Sequence, residues 1–280
     1  MWVLRFDNGV TSAGFSVTEV LAQELKVSEG EPAWRRFLAR FPSIGSHFEK
    51  AQAVERFFVM PQVSYRAGVM AGENWCLLPS AAAFVDPLFS SGMPLTLLGI
   101  ERLGRLFGEH WNRPTFAEEL ERYAQASLQE ADGTAHLIGA SYASFANFPL
   151  FTNLSMFYFA SASYSEMARR VEKPHLITRF LGLDREDYAP KLQNVCTRIR
   201  RGEITDTPAF AQEVADAIEP INIAGLACTE KRNWYGVDLE DTIQTASKLD
   251  MTQTAMRNLI ATAEWAQFPS PTPPSQGARP

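Results

Sequence analysis

The chain has 280 residues, 46% hydrophobic and 21% charged, so it can bury at least one sizeable core and is not a disordered chain. Its 26 basic and 32 acidic residues give a net charge of −6, which leaves no electrostatic footprint for a phosphate backbone; nucleic acid is not an expected partner. Three widely spaced cysteines, Cys76, Cys196 and Cys228, form neither a disulfide framework nor a CxxC pair, which fits a reducing cytoplasm.

The amino terminus carries Arg5 and Asp7 and has no apolar run of a secretory signal, again pointing to a cytoplasmic protein. Alternation of Trp2, Leu4 and Phe6, followed by Asn8-Gly9, predicts a hairpin whose return strand covers 10–18. Trp34, Phe37, Leu38 and Phe41 share one helical stripe, and Pro32 suits a first turn, so 31–41 is read as a helix. The β-branched and aromatic stretches 54–60 and 63–70, joined by Pro61-Gln62, read as neighbouring strands. The apolar run 74–78 ends at Pro79 and reads as a strand buried on both faces.

A loop with Asp86-Pro87 and Gly92 leads into a helix marked by Leu95, Leu98, Leu103 and Leu106, with Gly92, Gly99 and Gly104 leaving room for close approach. Beyond residue 110 only helices are expected. Thr115 with Glu118 predicts a capping box, Thr207-Pro208 an N-cap and first helical residue, and Asp238 the cap of a long helix toward Trp265. No charged residue occurs over 137–165, yet its many Ser, Asn and Thr residues make it too polar to span a membrane; it reads as buried helix or the wall of an apolar pocket. The proline-rich segment 268–280 is expected to be disordered.

The motifs GxSxG, HExxH, GxxxxGK[ST] and GxGxxG do not occur. His47, His110, His136 and His175 are not at metal-ligand spacing, so no metal is expected.

One segment is more specific. Residues 72–103, GENWCLLPSAAAFVDPLFSSGMPLTLLGIERL, comprise a strand, a small-residue turn, Asp-Pro, Ser-Ser-Gly and a helix. This resembles the second flavin-binding segment of FAD-dependent monooxygenases of the hydroxybenzoate hydroxylase type, above all their flavin-dependent halogenase branch. There a strand ends in Gly-Asp-Ala-Ala, passes through Phe-hydrophobic-Asp-Pro and reaches Ser-Thr-Gly or Ser-Ser-Gly at a helix start. The hairpin WVLRFDNGVTSAGFSV is similar to the family's substrate-domain strands, and the likeness extends over about 1–170.

The resemblance implies FAD as cofactor, held by Ser80, Asp86, Pro87, Ser91, Gly92 and Met93, with a halide at Ser91 and Gly92 and with Phe89 and Trp2 lining a substrate pocket. Pro79-Ser80 replaces the family's Gly-Asp, so a hydroxyl takes the place of a carboxylate. Phe89 stands where tryptophan halogenases have glutamate, which favours a phenol, pyrrole or other self-activated ring over tryptophan. The implied protein is an FAD-dependent oxidoreductase, halogenase- or monooxygenase-like, on an aromatic or apolar small molecule, with no membrane partner.

The family's N-terminal GxGxxG half is not matched, so the chain reads as a C-terminal portion served by a separate N-terminal half and a flavin reductase. The alternatives are a non-catalytic binding module of that fold and an isoprenoid reductase-like flavoprotein. The expected fold is α+β, with a partial mixed sheet over 1–108, a helical region over 109–267 and the tail over 268–280.

Overall fold

A computed structural model describes residues 1–228 and 238–263. They fall into two compact units, dividing between Tyr65 and Arg66.

In the first unit β1 (Trp2–Arg5) and β2 (Thr11–Gly14) pair antiparallel, with Trp2 opposite Gly14 and Arg5 opposite Thr11. The turn has Gly9 at φ +82° and Asn8 Oδ1 accepting from Val10 N at 3.0 Å, a conformation that glycine enters without steric cost. The return strand is shorter than the expected 10–18. The helices α1 (Glu19–Leu25), α2 (Glu31–Arg40) and α3 (Pro42–Gly45) follow, and α2 closely matches its predicted span. Its apolar stripe packs ring on ring: Phe37 stacks on Phe15 at 4.2 Å and Trp34 meets Phe48 edge-on at 5.3 Å. The predicted strand over 54–60 does not form, and of 63–70 only Tyr65–Arg66 is strand. Val54, Phe58 and Met60 are exposed, so β propensity there has no sheet face to bury.

The second unit opens with an antiparallel pair, Ala71–Gly72 with Trp75–Cys76. The run 74–78 is therefore not a strand buried on both faces: Trp75 is 47% exposed and its ring lies over Gly72, where a Cβ would sit 2.4 Å from Nε1. After a single turn, α4 (Pro79–Ala82), come α5 (Gly92–His110), α6 (Phe116–Ser144), α7 (Phe148–Arg170), α8 (Ala189–Arg200), α9 (Thr207–Ile218), α10 (Leu239–Gln244) and α11 (Gln253–Thr262). Among the described residues the fold is α+β, with the strands in small two-stranded sheets.

Helix α5 packs on α6, so residues 92–110 share the interior of the helices that follow them; Gly99 lets Pro79 approach to 2.4 Å of a would-be Cβ. The centre of the unit is α7. Leu154, Phe157, Ala160 and Tyr164 are fully buried against α9 and the segment before α8.

The uncharged stretch 137–165 is interior helix, and its serines explain how. Ser141, Ser155 and Ser161 donate to the carbonyls of Leu137 (2.9 Å), Phe151 (2.8 Å) and Tyr158 (3.0 Å), so buried hydroxyls are satisfied within their own helices. Among the described residues no helix is long and apolar enough to cross a membrane.

Two predicted caps differ, and a third caps a shorter helix than expected. Thr115 precedes α6 but makes no capping bond; its hydroxyl contacts His110 Nδ1 at 2.9 Å, and Glu118 pairs with Arg122. The cap of α9 is Asp206, which accepts from Ala209 N at 3.0 Å and places Thr207 and Pro208 inside the first turn. Asp238 does cap, accepting from Glu240 N at 2.9 Å, but α10 ends at Gln244 and α11 starts afresh behind Thr252. A left-handed Asp250 (φ 51°) turns the chain between them, so one long helix does not form; Trp265 and the tail lie outside the described residues.

Candidate functional site

The segment singled out from sequence folds as one turn at the amino end of α5. Asp86 starts it by accepting from Leu88 N through Oδ1 at 2.7 Å, the local bond that makes Asp a turn former. Its other oxygen accepts from the Tyr142 hydroxyl of α6 at 2.9 Å, so Asp86 fastens the turn to the helical body. Ser90 N then donates to Pro87 O at 3.0 Å.

Phe89 (φ 62°, ψ 3°) and Ser90 (φ 53°) are both left-handed, a conformation costing about 1–2 kcal/mol for each non-glycine residue. The surroundings offset it. The Phe89 ring stacks on Tyr158 of α7 at 4.6 Å and 15°, and the Tyr158 hydroxyl donates to Phe89 O at 2.7 Å. Phe151 and Phe159 of the same helix complete an aromatic cluster around Phe89, at 6.4 and 6.2 Å.

These bonds bring the chain to Ser91, which is buried, and to Gly92 and Met93, which begin α5. A Cβ on Gly92 would meet nothing within 4 Å, and Met93 is 72% exposed, so the helix start is open. Ser91 makes no side-chain cap, no acidic residue lies in the first turn, and no charged residue occurs over 87–100. The partial positive charge at the start of this 19-residue helix is thus left for an external group, which suits an anion or an electron-rich ring edge.

Of the residues read from sequence, the structure brings Asp86, Pro87, Phe89, Ser91, Gly92 and Met93 into this one turn. Ser80 lies exposed on α4, just before it. Trp2 belongs to the other compact unit, where its ring covers Gly14 and its Nε1 donates to Ser12 Oγ at 3.4 Å. Sequence reasoning missed Tyr142, Phe151 and Tyr158. Their signal is present as aromatic residues spaced along the uncharged stretch, with Phe151 and Tyr158 two helical turns apart on one face.

No family model matches the chain. Curated proteins do. It is 27% identical over 157 residues to the monodechloroaminopyrrolnitrin halogenase PrnC of Pseudomonas fluorescens, covering 54% of this chain and 28% of that protein. It is 29% identical over 171 residues to the tetracycline 7-halogenase of Kitasatospora aureofaciens, covering 58% and 30%. A third match, 32% identical over 102 residues, is the flavin-dependent halogenase gsfI of Penicillium aethiopicum, covering 35% and 19%.

Among solved structures, halogenase PltM in complex with phloroglucinol and FAD superposes with a TM-score of 0.59 at 20% identity, over 82% of this chain and 52% of that one. The matched region thus spans under a third of the curated relatives and about half of the solved chain. The chain is similar in sequence to curated halogenases, over part of their length, and shares the fold of a solved halogenase.

Proposed function

We propose that the chain contributes the flavin-edge and substrate-facing portion of an FAD-dependent oxidoreductase, halogenase- or monooxygenase-like, acting on an aromatic or apolar small molecule. The observation that carries this reading is the open, uncharged start of α5 at Gly92, set beside the Phe89, Phe151 and Tyr158 cluster. The relatives support it, since their names include flavin-dependent halogenases and a structure holding both FAD and a phenolic ring.

The residues fit one edge of the cofactor. Backbone N–H groups of Gly92 and Met93 at the start of α5 would hold a ring oxygen or a halide, the missing side chain of Gly92 would permit contact, and Ser91 would border it. Bound FAD would supply the oxidising chemistry. The chain's own part is to orient that edge, to hold a halide at Ser91 and Gly92, and to keep water from the reacting ring with the aromatic cluster. Ser80 and the Asp86-Pro87 turn would border the ribityl side. A polypeptide carrying the GxGxxG motif would hold the ADP half, and a flavin reductase would deliver electrons.

Titration of the chain with FAD, following flavin fluorescence and thermal melting together, tests the reading. We expect saturable quenching and a raised melting temperature. Gly92→Asp, which sets a carboxylate at the helix start, should weaken binding at least about tenfold while the melting temperature without FAD stays within about 2 °C. Equal FAD affinity in Gly92→Asp would sink the assignment. Halide dependence separates halogenation from hydroxylation: chloride or bromide should be required for turnover of a phenolic ring only in the former.

A further inference from the structure

We propose that Tyr158 is the positioning residue of this site: its hydroxyl holds Phe89 left-handed and thereby sets the direction of the backbone at Ser91 and Gly92. The role in cofactor binding rests on the function proposed above; the effect on the turn does not. Asp86 starts the turn locally, but nothing at residues 89 and 90 favours the left-handed conformation they take, because Phe and Ser have no intrinsic preference for positive φ and no glycine stands at either position. The chain must be held there from outside, and the contact that does so is the 2.7 Å bond from Tyr158 to Phe89 O, made by a hydroxyl whose ring also stacks on the Phe89 ring.

Tyr158 can act as a fixed post. Its ring meets Phe180 at 6.3 Å and Phe159 at 5.5 Å, both edge-on, and its own carbonyl accepts from Ser161. The neighbouring Phe157 is completely buried in the helix that carries it. Burial pushes the phenol above its ordinary value of 10, so the hydroxyl keeps its proton and remains a donor around neutral pH.

The Asp86 end of the turn is fastened separately, through Tyr142, so loss of the Tyr158 hydroxyl releases residues 89–92 without detaching the segment. Once released, Phe89 relaxes toward negative φ, the energetically normal side, and the peptides leading into Gly92 rotate with it.

Tyr158→Phe keeps the stacked ring and deletes only the bond. Hydrogen exchange by mass spectrometry should show amides of 88–93 exchanging about tenfold faster than in the parent chain, with α6 and α7 unchanged. Flavin fluorescence titration should show FAD affinity reduced about fivefold to tenfold, with the melting temperature nearly unaltered. The effect should shrink in a Phe89→Asn background, because Asn enters the left-handed region with less strain and needs the clamp less.

Unchanged exchange at 88–93, or faster exchange spread along α6 and α7, would overturn the proposal, the second result marking Tyr158 as merely structural. Faster exchange confined to the turn with FAD affinity equal to the parent's would overturn the positioning of cofactor. If the turn loosens as described and neither protein binds FAD, the clamp stands and it is the proposed function that fails.

Discussion

Of the turns in the second unit that use left-handed residues other than glycine, those at Phe89 and at Leu181 differ in what surrounds the strain. Around Phe89 the left-handed pair leads to an open helix start, whereas Leu181 (φ 57°) is itself buried at 3% exposure, next to a left-handed Gly182 whose would-be Cβ meets Tyr188 and Ile177. The second turn is tied by carboxylates. Glu130, wholly buried on α6, accepts from Phe180 N at 2.8 Å and takes both arms of Arg102 at 2.5 and 2.6 Å, and Asp184 accepts from Thr178 N and Oγ1 at 2.8 Å. The first is tied by tyrosine hydroxyls. Backbone strain alone therefore does not mark a site: around Phe89 it opens onto accessible backbone, while around Leu181 it is closed into the core and holds two helices and a loop together.

Removing the carboxylate beneath the closed turn should break the comparison most forcefully. Glu130→Ala leaves the Arg102 guanidinium and Phe180 N–H without their buried acceptor, and loss of one partner of a buried pair costs about 3–5 kcal/mol. Urea denaturation should show that loss, and a cost below about 1 kcal/mol would show the pair to be hydrated. Glu130→Gln, which keeps one acceptor oxygen and opens no cavity, should cost less.

Side-chain truncation at the two strained positions comes next. Leu181→Ala removes a side chain packed in the interior and should cost about 2–4 kcal/mol, as other leucine deletions in cores do. Phe89→Ala gives up a partly buried ring and its contacts with Tyr158, Phe151 and Phe159, a loss of about 1–2 kcal/mol, and should act mainly on cofactor binding. Equal destabilisation by the two, with FAD affinity preserved in Phe89→Ala, would mean that the first turn is core as well.

The difference also shows which parts of the molecule could be read from residues alone. Helices α2 and α5 and the turn at Asn8-Gly9 were legible because periodicity and turn chemistry act over a few neighbouring positions. The turn over 86–93 was legible as a motif, since Asp-Pro and Ser-Ser-Gly are contiguous. The tyrosines that hold it were not, because Tyr142 and Tyr158 lie 56 and 69 positions from the atoms they bind.

The strands over 54–60 and 74–78 misled for a related reason. Val54, Phe58 and Trp75 have strand-like side chains, and whether such residues pair depends on a sheet that local sequence does not supply. The caps at Thr115 and Thr207 show a finer limit: Thr115 finds His110 and Asp206 outcompetes its neighbour, choices made by a single rotamer or a single position.

The smallest expected effect lies just beyond the closed turn, where Arg185 extends its anchorage. Its guanidinium reaches Leu176 O at 3.2 Å and the Tyr164 hydroxyl at 3.3 Å, and it donates twice to Asp187, at 3.0 and 2.7 Å. Hydrogen bonding from Arg185 holds the Asp187 carboxyl below its usual 3.8. A depressed carboxyl stabilises the fold fully above the unfolded value, and the contribution disappears as pH falls below about 4 and through the folded value.

Because Asp187 is 44% exposed, solvent screening limits the contribution to a few tenths of a kcal/mol. Asp187→Asn should therefore lower stability by that amount at pH 7 and by almost nothing at pH 2, as read by urea midpoints at the two values. A loss of several kcal/mol at pH 7 would place Asp187 beside Glu130 as a buried anchor. An unchanged midpoint at pH 7 would leave Glu130 and Asp184 holding the closed turn without its help.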